Sequence, residues 1–149
     1  MNNSIGHAIR LCSRNIISFQ EKNNETEYEQ LAVEQQLGVL TYYSLASGFL
    51  TGKYKSEADF NQSARSEGVK KQYWNERGKR IVAALEEVAD AYKTTSTAVA
   101  LAWLIARPSV AAPIVSATRE NHLEPFVSAV QLQLSPESME KLDAASDWK

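Results

Sequence analysis

The chain has 149 residues, enough for one domain with a real core and too few for two ordinary ones. Its hydrophobic fraction is 44%, its charged fraction 23% and its formal net charge −2. That is the make-up of a soluble globular protein, with no broad positive field to draw nucleic acid or an anionic membrane surface. The single cysteine, Cys12, excludes a disulfide framework within the chain and fits a reducing cytoplasm, where it reads as a small buried apolar residue. No stretch approaches the roughly 20 apolar residues of a membrane span. The start, MNNSIGHAIRLCSRN, lacks the continuous apolar core of a signal peptide, so the expected location is cytoplasmic.

In chain order, Ile5 to Arg14 has helical spacing, with Ile5, Ala8, Ile9 and Cys12 on one face. Ile16 to Gln20 follows as a short strand, then a polar connection to Glu25. Thr26 to Gln36 predicts a helix with Tyr28, Leu31, Ala32 and Gln35 along one side. Thr26 and Glu29 there have the spacing of a capping box. Gly38 opens a β-branched and aromatic run, Val39 to Tyr43, suited to a buried parallel strand. Helix, strand, helix, strand is the alternation of parallel strands joined by crossover helices, and the fold class expected is α/β.

The strand runs into small residues, Ser44 to Gly48, over which a ligand can approach the backbone closely. A loop at the carboxyl end of a strand is where α/β folds place ligands. Gly48 to Lys53 is not a phosphate loop of the Walker type, because the glycine spacing is one short and Tyr54 stands where a hydroxyl is required. From about residue 55 to 73 the chain is charged and nearly free of aliphatics, which predicts a long loop with Arg65, Lys70 and Lys71 on a solvated face.

Asn75 to Lys93 predicts an amphipathic helix with a stripe of Ile81, Leu85, Val88 and Tyr92. Glu86, Glu87 and Asp90 fall on its outer side, so Glu86-Glu87 is not an acid/base pair. Ala98 to Ala106 is apolar almost all round and must be buried, and Arg107-Pro108 stops it. Val110 to Val115 predicts a last strand and Arg119 to Ala129 a helix. Ser135-Pro136-Glu137 is an N-cap, a first-turn proline and a first-turn acid for a final helix ending near Ser146. No Cys/His cluster has metal-ligand spacing.

Several of these segments together resemble one family. YSLASGFLTGKY is similar to the strand-seven segment of the aldo-keto reductases. AVALAWLIARPSVAAPIVSATRENHLEP is similar to their penultimate helix, last strand and cofactor loop, and VQLQLSPESMEKLDAAS to their closing segment. Ile17 to Gln20 resembles strand six. The resemblance implies that residues 1–149 are the C-terminal part of a (β/α)₈ TIM barrel, with strands six to eight and their helices.

The activity implied is NADP(H)-dependent reduction of aldehydes or ketones to alcohols. The catalytic aspartate, tyrosine, lysine and histidine of the family fall on strands with no counterpart here, and His7 and His122 match neither. The alternative expectations are an inactive truncated remnant or a non-enzymatic partner-binding module. Expected partners are the nicotinamide dinucleotide and either the missing N-terminal half of the barrel or a second copy.

The resemblance also implies site residues. Gln20 matches the residue that bonds the nicotinamide carboxamide, a task suited to an amide that both donates and accepts. Tyr43 matches the aromatic that stacks on the nicotinamide. Ser44, Leu45, Ser47 and Lys53 lie in the loop over the pyrophosphate. Ser116, Ala117, Thr118 and Arg119 match the loop around the adenosine 2′-phosphate, where a helix start and a guanidinium both suit an anion. Read from the residues alone, Tyr43 is ordinary strand filler, and the competing reading of Lys53 and Arg119 is that of surface cations. The family's adenine-contacting Asn is replaced, His122, Leu123 and Phe126 occupying that stretch.

Overall fold

In a computed structural model, residues 9–10, 29–62 and 64–147 are described. Three parallel strands form one sheet in the order β1-β2-β3: β1 (Ile9–Arg10), β2 (Gly38–Thr41) and β3 (Val110–Pro113). β1 sets Ile9 against Gly38, and β2 sets Thr41 against Pro113, with a register irregularity between Val39 and Leu40. Pro113 sits at the strand's end, where a missing N–H costs no ladder bond. With three parallel strands and helical connections, the α/β class holds.

At Ile9–Arg10, β1 corrects the helix expected over Ile5 to Arg14, the other residues of which lie outside the described ones. Ile9 is β-branched and the backbone partners offered by Gly38 and Val39 lie about thirty residues away, so a non-local pairing overrides a local helical pattern. The strand expected at Ile16 to Gln20, the Thr26 cap, His7 and Cys12 lie outside the described residues. α1 (Glu29–Glu34) buries Ala32 but turns Leu31 outward at 49% exposure, so the expected stripe does not face inward as a unit.

The core is helical. Asn75 caps α3 (Glu76–Tyr92), its Oδ1 accepting from the Gly78 N–H at 2.8 Å, and Lys93 closes the helix in the left-handed conformation. Ile81, Leu85 and Val88 of the expected stripe are buried and Tyr92 is half-buried. Thr95 caps α4 (Ser96–Ile105), whose residues Ala98 to Leu104 are all buried, as an all-round apolar helix requires, whereas Ile105 and Ala106, at the end of the expected buried run, are exposed. Each large side chain taken from water there contributes roughly 1.5–3 kcal/mol.

α4 packs on β3, α3 and α5 (Leu123–Gln131), and α6 (Pro136–Ser146) packs on α3. α6 starts as expected, with Ser135 Oγ accepting from the Ser138 N–H. Its far end is held by two arginines of α3. Arg77 donates to the Ser146 carbonyl and Arg80 to those of Ala145 and Asp147, satisfying acceptors that a helix end leaves open. At the end of α4, Trp103 Nε1 donates to Asp143 Oδ1 at 2.7 Å. The Arg107 guanidinium lies 4.1 Å from the Trp103 ring centre and pairs with the same carboxylate.

The long loop expected over residues 55–73 is instead helical, a 3₁₀ segment (Glu57–Gln62) followed by α2 (Ala64–Tyr73). Aromatic rings do the packing that aliphatics do elsewhere. Phe60 stacks on Tyr54 with centroids 4.4 Å apart, Phe49 stacks on Tyr73, and Trp74 meets both Phe49 and Phe60 edge-on. Asp59 Oδ2 accepts from the Lys55 and Ser56 N–H groups at 2.8 and 2.7 Å, and Lys70 pairs with Glu57 at the surface. No helix among the described residues is long and apolar enough to cross a membrane.

Candidate cofactor site at the strand ends

Parallel strands deliver their carboxyl ends to one edge of the sheet, so the loops after β2 and β3 emerge side by side. Short bonds tie these exits together. The Ile114 N–H donates to the Thr41 carbonyl at 2.8 Å. Ser44 Oγ lies 3.0 Å from the Thr41 carbonyl, 3.1 Å from the Ile114 carbonyl and 2.9 Å from Thr41 Oγ1. Its single proton serves a carbonyl while the Thr41 hydroxyl donates to it. Both residues are fully buried. Ser44 therefore links the two exits, and its hydroxyl is turned into the protein rather than outward.

Beyond Thr41 the backbone enters the left-handed region repeatedly, at Tyr43 (φ 57°), Ala46 (48°), Ser47 (56°), Gly48 (85°) and Gly52 (74°). Three of these carry a side chain, a conformation that costs energy and is kept only where surroundings enforce it. Phe49 and Leu50, both buried, pin the loop to the core, and Thr51 Oγ1 donates to the Gly48 carbonyl. Leu45 packs half-buried against the same core. Lys53 is exposed, with its Nζ 4.9 Å from the Tyr54 ring centre.

Tyr43 is 52% exposed at the mouth of this loop. Tyr42, 47% exposed, meets it edge-on with centroids 4.4 Å apart. Tyr42 is the residue that sequence reasoning passed over. The signal was present in the doubled tyrosine at the strand end, one of which cannot point into the sheet's covered face. On the β3 side, Ser116, Ala117, Thr118 and Arg119 are all exposed, just ahead of a 3₁₀ turn (Glu120–His122) that leads into α5. The Thr118 N–H points at His122 Nδ1 at 3.4 Å, so one expected anion donor already has a weak partner. Gln20 lies outside the described residues.

The structure thus gathers Tyr43, Ser44, Leu45, Ser47 and Lys53 on one strand exit and Ser116 to Arg119 on its neighbour. The fit to a nicotinamide dinucleotide is good in chemistry: exposed aromatic faces, exposed hydroxyls and backbone, and two exposed cations. Elsewhere, a polar hollow of about 320 Å³ lies between Thr51-Gly52 and the α3–α4 turn, where Lys55 pairs with Glu86. It holds none of these residues. The carboxylates whose pKa is displaced are not among these residues either: Asp59 is held below its ordinary value by the N–H groups of Ser56 and Lys55, and Glu57 by its bond to Lys70.

A parallel sheet with helical connections and open loops at its carboxyl ends defines an α/β protein. The family model for the aldo/keto reductase family matches residues 10–147, and the chain belongs to that family. It is 31% identical over 131 residues to a probable voltage-gated potassium channel subunit beta of Arabidopsis thaliana, covering 84% of this chain and 40% of that protein. It is 31% identical to aldo-keto reductase yakc [NADP(+)] of Schizosaccharomyces pombe, covering 76% of this chain and 34% of that protein. The uncharacterized oxidoreductase YrpG of Bacillus subtilis is 30% identical, over 85% of this chain and 37% of its own length. The chain therefore spans 34–40% of these relatives.

Proposed function

We propose that residues 1–149 are the C-terminal, cofactor-holding part of an NADP(H)-dependent oxidoreductase that reduces aldehydes or ketones to alcohols. In this reading the sheet is strands six to eight of a (β/α)₈ barrel. The observation that carries it is the tie at the strand ends, where Ser44 and Thr41 bind the exit of β3 and hold the two candidate cofactor loops side by side. The name of the yakc relative supports NADP(H) as the dinucleotide.

When bound, the nicotinamide supplies the hydride. Tyr43 supports its ring, with Tyr42 bracing Tyr43, and Gln20 takes its carboxamide. The loop of Leu45, Ser47 and Lys53 lies along the pyrophosphate, with the lysine placing positive charge there. Ser116, Ala117, Thr118 and Arg119 receive the 2′-phosphate. Ser44 acts by fixing the loop. The acid that would protonate the carbonyl oxygen has no counterpart in this sequence, so these 149 residues bind cofactor weakly and turn over nothing alone. A partner-binding role is the second reading, favoured by two relatives whose names are those of probable channel β subunits.

Titration of the purified chain with NADPH and NADH, read by nicotinamide fluorescence, tests this. NADPH binds more tightly, and Arg119→Ala weakens NADPH about tenfold while leaving NADH unchanged, the loss expected of one charge-assisted contact. Equal affinities, or an indifferent Arg119→Ala variant, would sink the assignment of the phosphate loop. Carbonyl reduction by the chain alone would overturn the absence of turnover.

A further inference from the structure

The polar hollow between Thr51-Gly52 and the α3–α4 turn takes no part in the cofactor reading. Its volume is about 320 Å³. Gly52 keeps it open. A Cβ there would lie 3.2 Å from Glu86 Oε1 and 3.5 Å from Ser96 Oγ, so these two oxygens flank a space that any side chain at Gly52 would fill.

Several polar side chains around the hollow are already committed. Lys55 pairs with Glu86, Thr51 Oγ1 donates to the Gly48 carbonyl, and Thr95 Oγ1 accepts from the Ala98 N–H. Ser96 and Asp90 are not. Ser96 is only 9% exposed and lines the hollow, yet its Oγ has no hydrogen-bond partner among the described residues. A hydroxyl so buried ordinarily has one. Asp90 stands one turn after Glu86, on the same side of α3, exposed and with no ion pair among the described residues.

Ser96 and Thr97 open α4, a helix of ten residues. Thr95 takes the N–H groups of Ala98 and Val99, so those of Ser96 and Thr97 are the donors that a helix start leaves open. With the Ser96 hydroxyl they suit a carboxylate. Asp90, across the turn at 93–95, brings a negative charge that suits an ammonium. An anion alone would face Asp90, and a cation alone would face the positive end of α4. A molecule carrying both charges satisfies both sides. We propose that this hollow is a binding site for a free amino acid, whose carboxylate is received by Ser96 Oγ and the N–H groups of Ser96 and Thr97 and whose ammonium pairs with Asp90.

The test titrates the ¹⁵N-labelled full chain with glycine, acetate, methylammonium and glycerol in turn and follows the Gly52, Ser96 and Thr97 amide resonances. Glycine saturates the site, about tenfold or more tighter than acetate or methylammonium at equal ionic strength, because it alone meets both sides. Ser96→Ala weakens glycine about tenfold without lowering the melting midpoint, since the hydroxyl removed has no partner to lose. Asp90→Asn, exposed and therefore harmless to the fold, brings glycine down to the affinity of acetate. Absence of saturation, or glycine no tighter than acetate or methylammonium, would overturn the proposal. Glycerol binding as tightly as glycine would also overturn it, in favour of a site for neutral hydroxyl compounds. A Ser96→Ala variant that binds glycine unchanged would do the same.

Discussion

The helical layer and the strand ends are built on opposite terms. In α3, α4 and α6 most of the large apolar side chains are buried, and every helix start has a side-chain cap. At the strand ends two tyrosines stand half-exposed, three residues with side chains sit at positive φ, and the phosphate-loop candidates face outward. The first region supplies stability and tolerates little. The second uses stability supplied by the first, and its exposure and strain are kept only because the surrounding core enforces them.

Four changes would sharpen or break that contrast. Trp103→Ala removes a fully buried ring together with the donor to Asp143, and a loss of about 4 kcal/mol is expected by denaturant unfolding. Gly78→Ala comes next. A Cβ there would lie 2.0 Å from the Tyr73 carbonyl oxygen and 3.1 Å from the Phe49 ring, so the start of α3 must shift away from the aromatic cluster, at about 3 kcal/mol. Ser44→Ala cuts the tie between the strand exits. It costs about 1–2 kcal/mol in the same assay, and a smaller loss than an exposed serine would show is the result that dissolves the contrast.

The smallest effect is one of pH. The Asp59 carboxyl is held below its ordinary value of 3.8 by two backbone donors, so its contribution is complete above that value and lost as pH falls through the lowered one. The Ser56 amide resonance then titrates with a midpoint below 3.8, and Asp59→Asn abolishes the titration.

Most of the helical layer was legible in the sequence, because it depends on local signals. The Ser135 start, the Ile81-Leu85-Val88 stripe and the apolar run from Ala98 each carry their own explanation, while the capping by Asn75 and Thr95 came from the structure. Three things were not legible. The two-residue strand at Ile9 exists because of its partner at Gly38. The 3₁₀ segment and α2 look like loop because their buried side is aromatic and sparse, Phe60, Val69 and Tyr73 among charges. The left-handed backbone at Tyr43, Ala46 and Ser47 goes against residue preference, and only the fixed ends of the loop impose it. For the candidate site, the segments singled out in sequence around Tyr43 and around Ser116 do follow β2 and β3. Sequence could not show that Ser44 turns inward or that Tyr42 stands beside Tyr43.

Gly48 has one more consequence. A side chain there would come within 3.1 Å of Lys53 Nζ. The hydrogen at that position leaves a berth into which the ammonium folds back across the loop. A bulkier residue would evict the cation rather than topple the fold, beyond the strain of its positive φ. The electrostatic potential at the mouth of the strand exits is thus set partly by a residue that has no charge, and no side chain, of its own.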